Sequence, residues 1–261
     1  MPIEIVQSRR LYRQVADQLR ALIANGEYPP GSRLPAEREL SIQLGISRPT
    51  VREALIALEV EGYVRIKVGA GIFVEQPASR RPVISPEQRS DAPGAFALLS
   101  ARALFEGAIA GTAARLARPS HIRGLDLHVA AMRAALHPGR ESSALDRAFH
   151  IAVADILDND VITRVVGELF DQRANPYFAQ LASHFENADS WTSAVAEHAA
   201  VRDAIKSGDA IAATNAMTAH LEKSQARFAL SFGDGTLAQP TIKGIAADPA
   251  ALQPKKSKQR K

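Results

Sequence analysis

Four residues in the second half of the chain have the types and spacing to share a metal ion. Asp146 and His150 are four apart, so on a helix they share one face, while His198 and His220 fall on two later helical segments. Three imidazoles and one carboxylate suit a divalent ion such as zinc, nickel or manganese and leave positions open for water or a ligand. Spacing alone does not demand this, because the chain has 7 histidines and a helical histidine is more often packed or solvated. A second group lies near the N-terminus, where Arg48, Thr50 and Arg52 crowd one helical turn and Arg38 sits on the segment before. Arginine reads guanine edges with two hydrogen bonds, and threonine can meet a base, a phosphate or a thymine methyl. Periodicity alone fits a solvated charged face equally well.

The elements that must carry the second group follow from apolar spacing and from glycine and proline punctuation. Leu11, Val15, Leu19, Leu22 and Ile23 recur at helical intervals, which predicts a helix from Leu11 to Asn25, ended by Gly26 and the run Tyr28-Pro29-Pro30-Gly31. Pro35 suits a first turn and opens a short helix over Ala36 to Leu44; Gly45 breaks it, and Ser47 can cap a third helix from Arg48 to about Glu61. Two β-prone runs, Tyr63 to Val68 and Ile72 to Val74, flank Gly69-Ala70-Gly71 and predict a hairpin. Three helices and a hairpin make a winged helix-turn-helix over residues 8–75. The first turn of its third helix would enter the major groove, and Gly69 at the wing tip would let the backbone approach the minor groove.

Residues 76–94 contain 4 prolines and no periodicity, so they read as a linker. Strand signals then vanish. Helices are expected at approximately 95–118, 120–136, 143–157, 160–175, 176–186, 190–206 and 209–231, with Ser143 and Asp146 spaced as a capping box. The fold class is therefore α-rich, an N-terminal winged helix-turn-helix followed by an all-α bundle over 95–231. Residues 232–261 are rich in Gly, Ala, Pro and Lys and are expected to be disordered.

Bulk properties exclude several classes. With 0 cysteines there is neither a disulfide nor a thiolate metal site. The first twenty residues carry arginines and acids without an apolar core, so no signal peptide is expected. No apolar run approaching a membrane span is expected either, which points to a cytoplasmic protein without membrane contact. The net charge is +4, and residues 231–261 alone contribute that excess, so the high isoelectric point says nothing about DNA.

The whole N-terminal string carries more than its periodicity. Leu34-Pro-Ala-Glu-Arg-Glu-Leu40, Gly45-Ile-Ser-Arg-Pro-Thr-Val-Arg-Glu-Ala-Leu55 and Leu58-Glu-x-x-Gly62 closely resemble the GntR family of bacterial regulators. The resemblance implies a homodimer on a short palindromic operator in double-stranded DNA, contacted by Arg38, Arg48, Thr50, Arg52 and Gly69. Pro49 departs from members that carry a second hydroxyl there. Farther on, Ala101-Arg-Ala-Leu-Phe-Glu106, Asp146-Arg-Ala-Phe-His150, Glu197-His198, Gly208-Asp209 and His220-Leu221 resemble the FadR-type ligand domain, FCD. That resemblance implies Asp146, His150, His198 and His220 as metal ligands and Arg102 as the clamp for an effector carboxylate, which suits arginine's planar fork. His121, His128 and His137 match nothing in it and are expected at the surface, with His184 a candidate for the pocket. Phe170-Asp-Gln-Arg-Ala-Asn-Pro-Tyr177 and Ser190-Trp191 are similar to hexuronate-responsive repressors, which implies Arg173, Asn175 and Trp191 as contacts to sugar hydroxyls. Arg173 and Asn175 equally suit an ordinary helix end before Pro176.

The expected function is a sequence-specific repressor of carbon-catabolism genes, controlled by a small organic or sugar acid bound at a metal-containing pocket, and not an enzyme. The alternative is a metal-dependent hydrolase fused to a DNA-binding domain. Hydrolysis needs a general base beside the metal. Glu197 adjoins His198, but helix neighbours diverge by about 100°, so it should point elsewhere. Neither H-E-x-x-H nor G-x-S-x-G occurs. A DNA-packaging role would require clustered basic charge, which residues 1–76 lack.

Overall fold

The computed structural model of the protein describes residues 10–79, 82, 84, 92–135 and 139–229. Most of the expected linker and all of the expected disordered tail at 232–261 lie outside these residues.

Helix α1 (Leu11–Ala24) buries Val15, Leu19 and Ile23 of the expected stripe together with Tyr12 and Ala16, while Leu11 is exposed and Leu22 half-buried. Helix α2 (Glu37–Leu44) opens with the Glu39 carboxylate accepting the Ala36 N–H at 2.8 Å and closes at Gly45, whose φ of 64° is the left-handed cap that glycine adopts without strain. Ser47 then caps α3 (Arg48–Val60), with its hydroxyl accepting the Thr50 N–H at 3.4 Å. Strands β1 (Val64–Lys67) and β2 (Gly71–Val74) pair antiparallel in the register Val64↔Val74 and Ile66↔Ile72. Those four side chains face the core, while Arg65 and Lys67 face outward. Gly69 sits exposed at the tip of this wing with φ 75°.

Seven further helices form the second unit among the described residues: α4 (Ala95–Leu116), α5 (Pro119–Ala134), α6 (Arg140–Asp155), α7 (Asp160–Asp171), α8 (Pro176–Phe185), α9 (Ala188–Lys206) and α10 (Ala210–Ala229). Helices α4 and α10 pack unusually close. A Cβ on Gly107 would press on the Thr218 hydroxyl, and one on Gly111 on the Thr214 hydroxyl and, at 2.9 Å, on the Ala210 carbonyl, so glycine at 111 permits the backbones to approach. Two expectations are corrected here. Helix α4 is long and apolar enough by composition to cross a membrane, where no such run was expected. Its apolarity serves the bundle core, where Leu98, Leu99, Ala110 and Ala113 are buried. Ser143 and Asp146 do not form a capping box, because α6 begins earlier, at Arg140. Ser142 instead takes the Gly139 N–H at 2.6 Å, and Asp146 lies well inside the helix.

The winged helix rests on α8 and α10. Tyr12 and Arg13 of α1 meet Tyr177, with the Arg13 guanidinium 4.5 Å from the Tyr177 ring centre and also paired to Glu61 at 2.6 Å. Glu59 of α3 receives Gln180 at 3.1 Å and His184 at 2.6 Å from α8, while its other oxygen accepts the Ile66 N–H of β1 at 2.7 Å. Glu53 of α3 accepts the Phe96 N–H at 3.0 Å and so satisfies a free donor in the first turn of α4.

Candidate metal centre and effector cavity

Helix α6 presents Asp146 and His150 on one face, α9 adds His198 and α10 adds His220. One ligand atom from each lies within 4.8 Å of all the others. His198 Nε2 is 2.9 Å and His150 Nε2 3.3 Å from the same oxygen, Asp146 Oδ1. Each imidazole of the cluster turns its other nitrogen toward an oxygen. His198 Nδ1 meets the Ala194 carbonyl at 2.7 Å, His220 Nδ1 meets Glu197 at 2.9 Å, and His150 Nδ1 lies against Glu106. With an ion bound, partners of this kind would fix the tautomer and leave the other ring nitrogen of each histidine to the metal. His150 is fully buried, and both of its ring nitrogens lie beside carboxylates, Glu106 and Asp146, without a well-aligned hydrogen bond among the described residues. A buried imidazole nitrogen beside a carboxylate and two more imidazoles fits a divalent cation.

The electrostatics agree. Burial, with His198 second, pushes His220 down to about 3 and keeps it neutral. Burial opposes ionisation of Asp146, but hydrogen bonds from His150 and His198 and the charge of Arg173 hold it well below the usual carboxylate range. Burial likewise opposes Glu106, and Arg102 and His150 outweigh it, leaving the carboxyl at about 2. His150 is the exception: burial disfavours its charge, yet Glu106 outweighs burial and raises it, so proton and metal would compete there.

Asp146, His198 and His220 border a cavity that Arg102, Arg173, Trp191 and Arg227 also line; His150 is not among its lining residues. Arg102 is 1% exposed, donates from Nε to Glu106 at 2.5 Å and sits 4.7 Å from the Phe170 ring centre. Arg173 donates from Nη1 to Asp146 Oδ2 at 2.7 Å, and its buried Nε has no partner among the described residues. Trp191 contributes its ring only, since its N–H goes to the Ala135 carbonyl at 2.8 Å. Asn175 is a correction. It caps α8, accepting the Phe178 N–H at 2.9 Å, and it borders a neighbouring outer groove rather than this cavity. The ordinary helix-end reading therefore holds for it. His184 does not line the cavity either; it reaches Glu59 across to α3.

On the winged helix, Arg38 and Gly69 are exposed. Arg48 is 30% exposed and reaches Glu37 at 3.1 Å, and the Thr50 hydroxyl meets Ser47 at 2.8 Å. Arg52 departs from expectation. Its side chain is 3% exposed, paired with Glu37 at 2.6 Å and bonded to the Phe228 carbonyl at 2.7 Å, so it faces α10 rather than solvent. An arginine one turn along a recognition helix reads as a DNA contact until the face that α10 covers is known.

Spacing did not single out Glu106 or Arg227. Glu106 lies four residues after Arg102, and Arg227 seven after His220, so each shares a helix face with a predicted site residue. Glu197 is not a free base. It is committed to His220 and, at 2.9 Å, to Arg227.

Residues 11–74 match the family model described as bacterial regulatory proteins, gntR family, and residues 97–223 match that of the FCD domain. The chain is 36% identical over 216 residues to the Uxu operon regulator of Haemophilus influenzae, covering 82% of this chain and 80% of that one. It is also 36% identical over 227 residues to the Exu regulon transcriptional regulator of Escherichia coli, covering 85% and 86%. Among solved structures, Streptococcus agalactiae GntR matches with a TM-score of 0.43 and 24% identity, covering 82% of this chain and 98% of that one. The matched families are regulators of transcription, not enzymes.

Proposed function

The chain belongs to the gntR family of bacterial regulatory proteins and carries an FCD domain, and from that premise we propose a homodimeric repressor whose operator affinity is set by a sugar acid such as a hexuronate. It would act in the cytoplasm on double-stranded, palindromic DNA. Arg38, Arg48, Thr50 and Gly69 would meet the operator, and Arg52 would join them once free of Phe228. The outer face of α4 supports self-association, because Leu104 and Phe105 are 73% and 56% exposed on a helix whose inner face is already packed.

One observation carries the reading: a cavity with three lining arginines opens beside the His/Asp cluster, and the helices that build it also hold the recognition helix. Asp146, His150, His198 and His220 would hold the metal, which would supply a Lewis-acidic centre for a ligand oxygen. Arg102 and Arg173 would pair with the ligand carboxylate, and a neutral sugar would leave both without a counter-charge. Arg173 lies three residues before α8, and α8 grips Glu59, so a ligand that draws Arg173 from Asp146 would favour one docking of the winged helix over another. The relatives' names, regulators of Uxu and Exu genes, point to the same class of effector.

The test selects an operator from random DNA and titrates galacturonate, glucuronate and neutral galactose into the complex, with and without metal. The acids should change operator affinity by roughly 5–150-fold. Equal potency of neutral galactose rules out the carboxylate reading, and failure to select any preferred sequence rules out the operator.

A further inference from the structure

Around the cavity, every carboxylate that touches the histidines has its own arginine. Glu106 pairs with Arg102, Asp146 with Arg173, and Glu197 with Arg227. The first two arginines belong to the reading above. The third lies on α10, which reaches the cavity from another side, and it lines the same space. Glu186 also lines the cavity, 3.6 Å from Arg173, so four carboxylates face three guanidiniums, and a divalent ion would leave one positive charge uncompensated. A buried excess of that sign favours an anionic ligand and disfavours a neutral one.

We propose that Arg227 is a ligand-recognising residue, the third arginine to engage a polyhydroxylated carboxylate in this cavity; this rests on the sugar-acid reading above. Its position supports direct contact. Its side chain is 21% exposed, while Glu197, its partner, is 10% exposed. Glu197 takes two of its five N–H donors, at 2.9 and 3.3 Å, and three have no partner among the described residues. Ser224, one turn earlier on α10, lines the same cavity with a hydroxyl. An arginine and a serine three residues apart on one helix face match a ligand that carries both charge and hydroxyls. Arg227 also steadies Glu197, and through it His220, so a merely supporting role must be told apart from contact.

Trp191 lines the cavity and is the single tryptophan of the chain, so its fluorescence reports occupancy. The experiment titrates galacturonate and glucuronate into the full, zinc-loaded protein and into Arg227→Gln and Arg227→Lys, with zinc content measured on each sample. Arg227→Gln should bind the acids at least about tenfold more weakly, the loss of one charge-assisted pair, with zinc content unchanged. Arg227→Lys should recover part of that loss. Wild-type affinity in Arg227→Gln overturns the proposal. So does a parallel loss of acid and zinc, which would make Arg227 a support for His220 only. A wild-type protein that binds neither acid overturns the sugar-acid reading itself, and this inference with it.

Discussion

Arg52 of the recognition helix donates a hydrogen bond to the backbone carbonyl of Phe228 at 2.7 Å, and Phe228 lies on the same helix as His220. Eight residues separate them on α10, a rise of about 12 Å. One stiff element therefore touches the metal cluster at one point and a predicted DNA-reading arginine at another.

The two recognition-helix arginines should respond differently to truncation. Arg52→Ala leaves the buried Glu37 with only Arg48, so it should destabilise the fold by up to about 3–5 kcal/mol. Arg48 is partly exposed, and Arg48→Ala should cost about 1 kcal/mol or less in stability while weakening operator binding by about 1–3 kcal/mol at fixed salt. Urea unfolding and fluorescence anisotropy measure the two effects. An unchanged unfolding midpoint for Arg52→Ala would contradict its buried pairing.

Metal content is the direct check on the cluster. Asp146→Ala, His150→Ala, His198→Ala and His220→Ala should each lower bound metal and Tm, since ligation stabilises only the folded state. Glu106→Gln should weaken binding by about 10–100-fold through loss of the group that orients His150. Elemental analysis of untagged protein decides the matter; a chain that takes up no transition metal after reconstitution has no such centre.

Stability should fall as pH rises from about 4.5 to about 7, through Glu53. Burial raises its carboxyl to about 7 against an ordinary 4.5, with the Phe96 N–H and Arg10 opposing. The folded chain thus keeps a proton that the unfolded chain has lost, so the contribution is complete below 4.5 and gone above 7. The effect is at most about 3 kcal/mol. Differential scanning calorimetry of wild type and Glu53→Gln between pH 5 and 8 should show a steeper decline for wild type, and parallel curves would refute it.

Arg102→Ala should abolish the response to a sugar acid, and it should also lower stability, because Glu106 would keep only His150 as a partner. Operator release assays read the first effect and thermal melts the second. A variant that still responds at wild-type ligand concentration removes Arg102 from the cavity.

The sequence by itself determined the elements and the chemistry they carry. Apolar periodicity with Gly45, Gly62, Pro119, Pro176 and Gly208 as punctuation placed ten helices and one hairpin close to where they lie, because these signals are local and backbone-driven. Asp146, His150, His198 and His220 were a weak donor set by type and spacing, and the resemblance to FCD singled them out among the histidines; the fold brings them together. Only the tertiary structure decided which side chains remain available. Arg52 looked free until α10 crossed it, 176 residues on; His184 looked like a pocket residue until α3 faced it, 125 residues away. Asn175 and Arg173 are two residues apart and equally plausible on paper, yet one is consumed by the N–H of Phe178 and the other reaches Asp146. A helix face records that it is polar or apolar, but not which partner it will meet. That depends on packing between distant segments, and such packing leaves no periodic trace in either one.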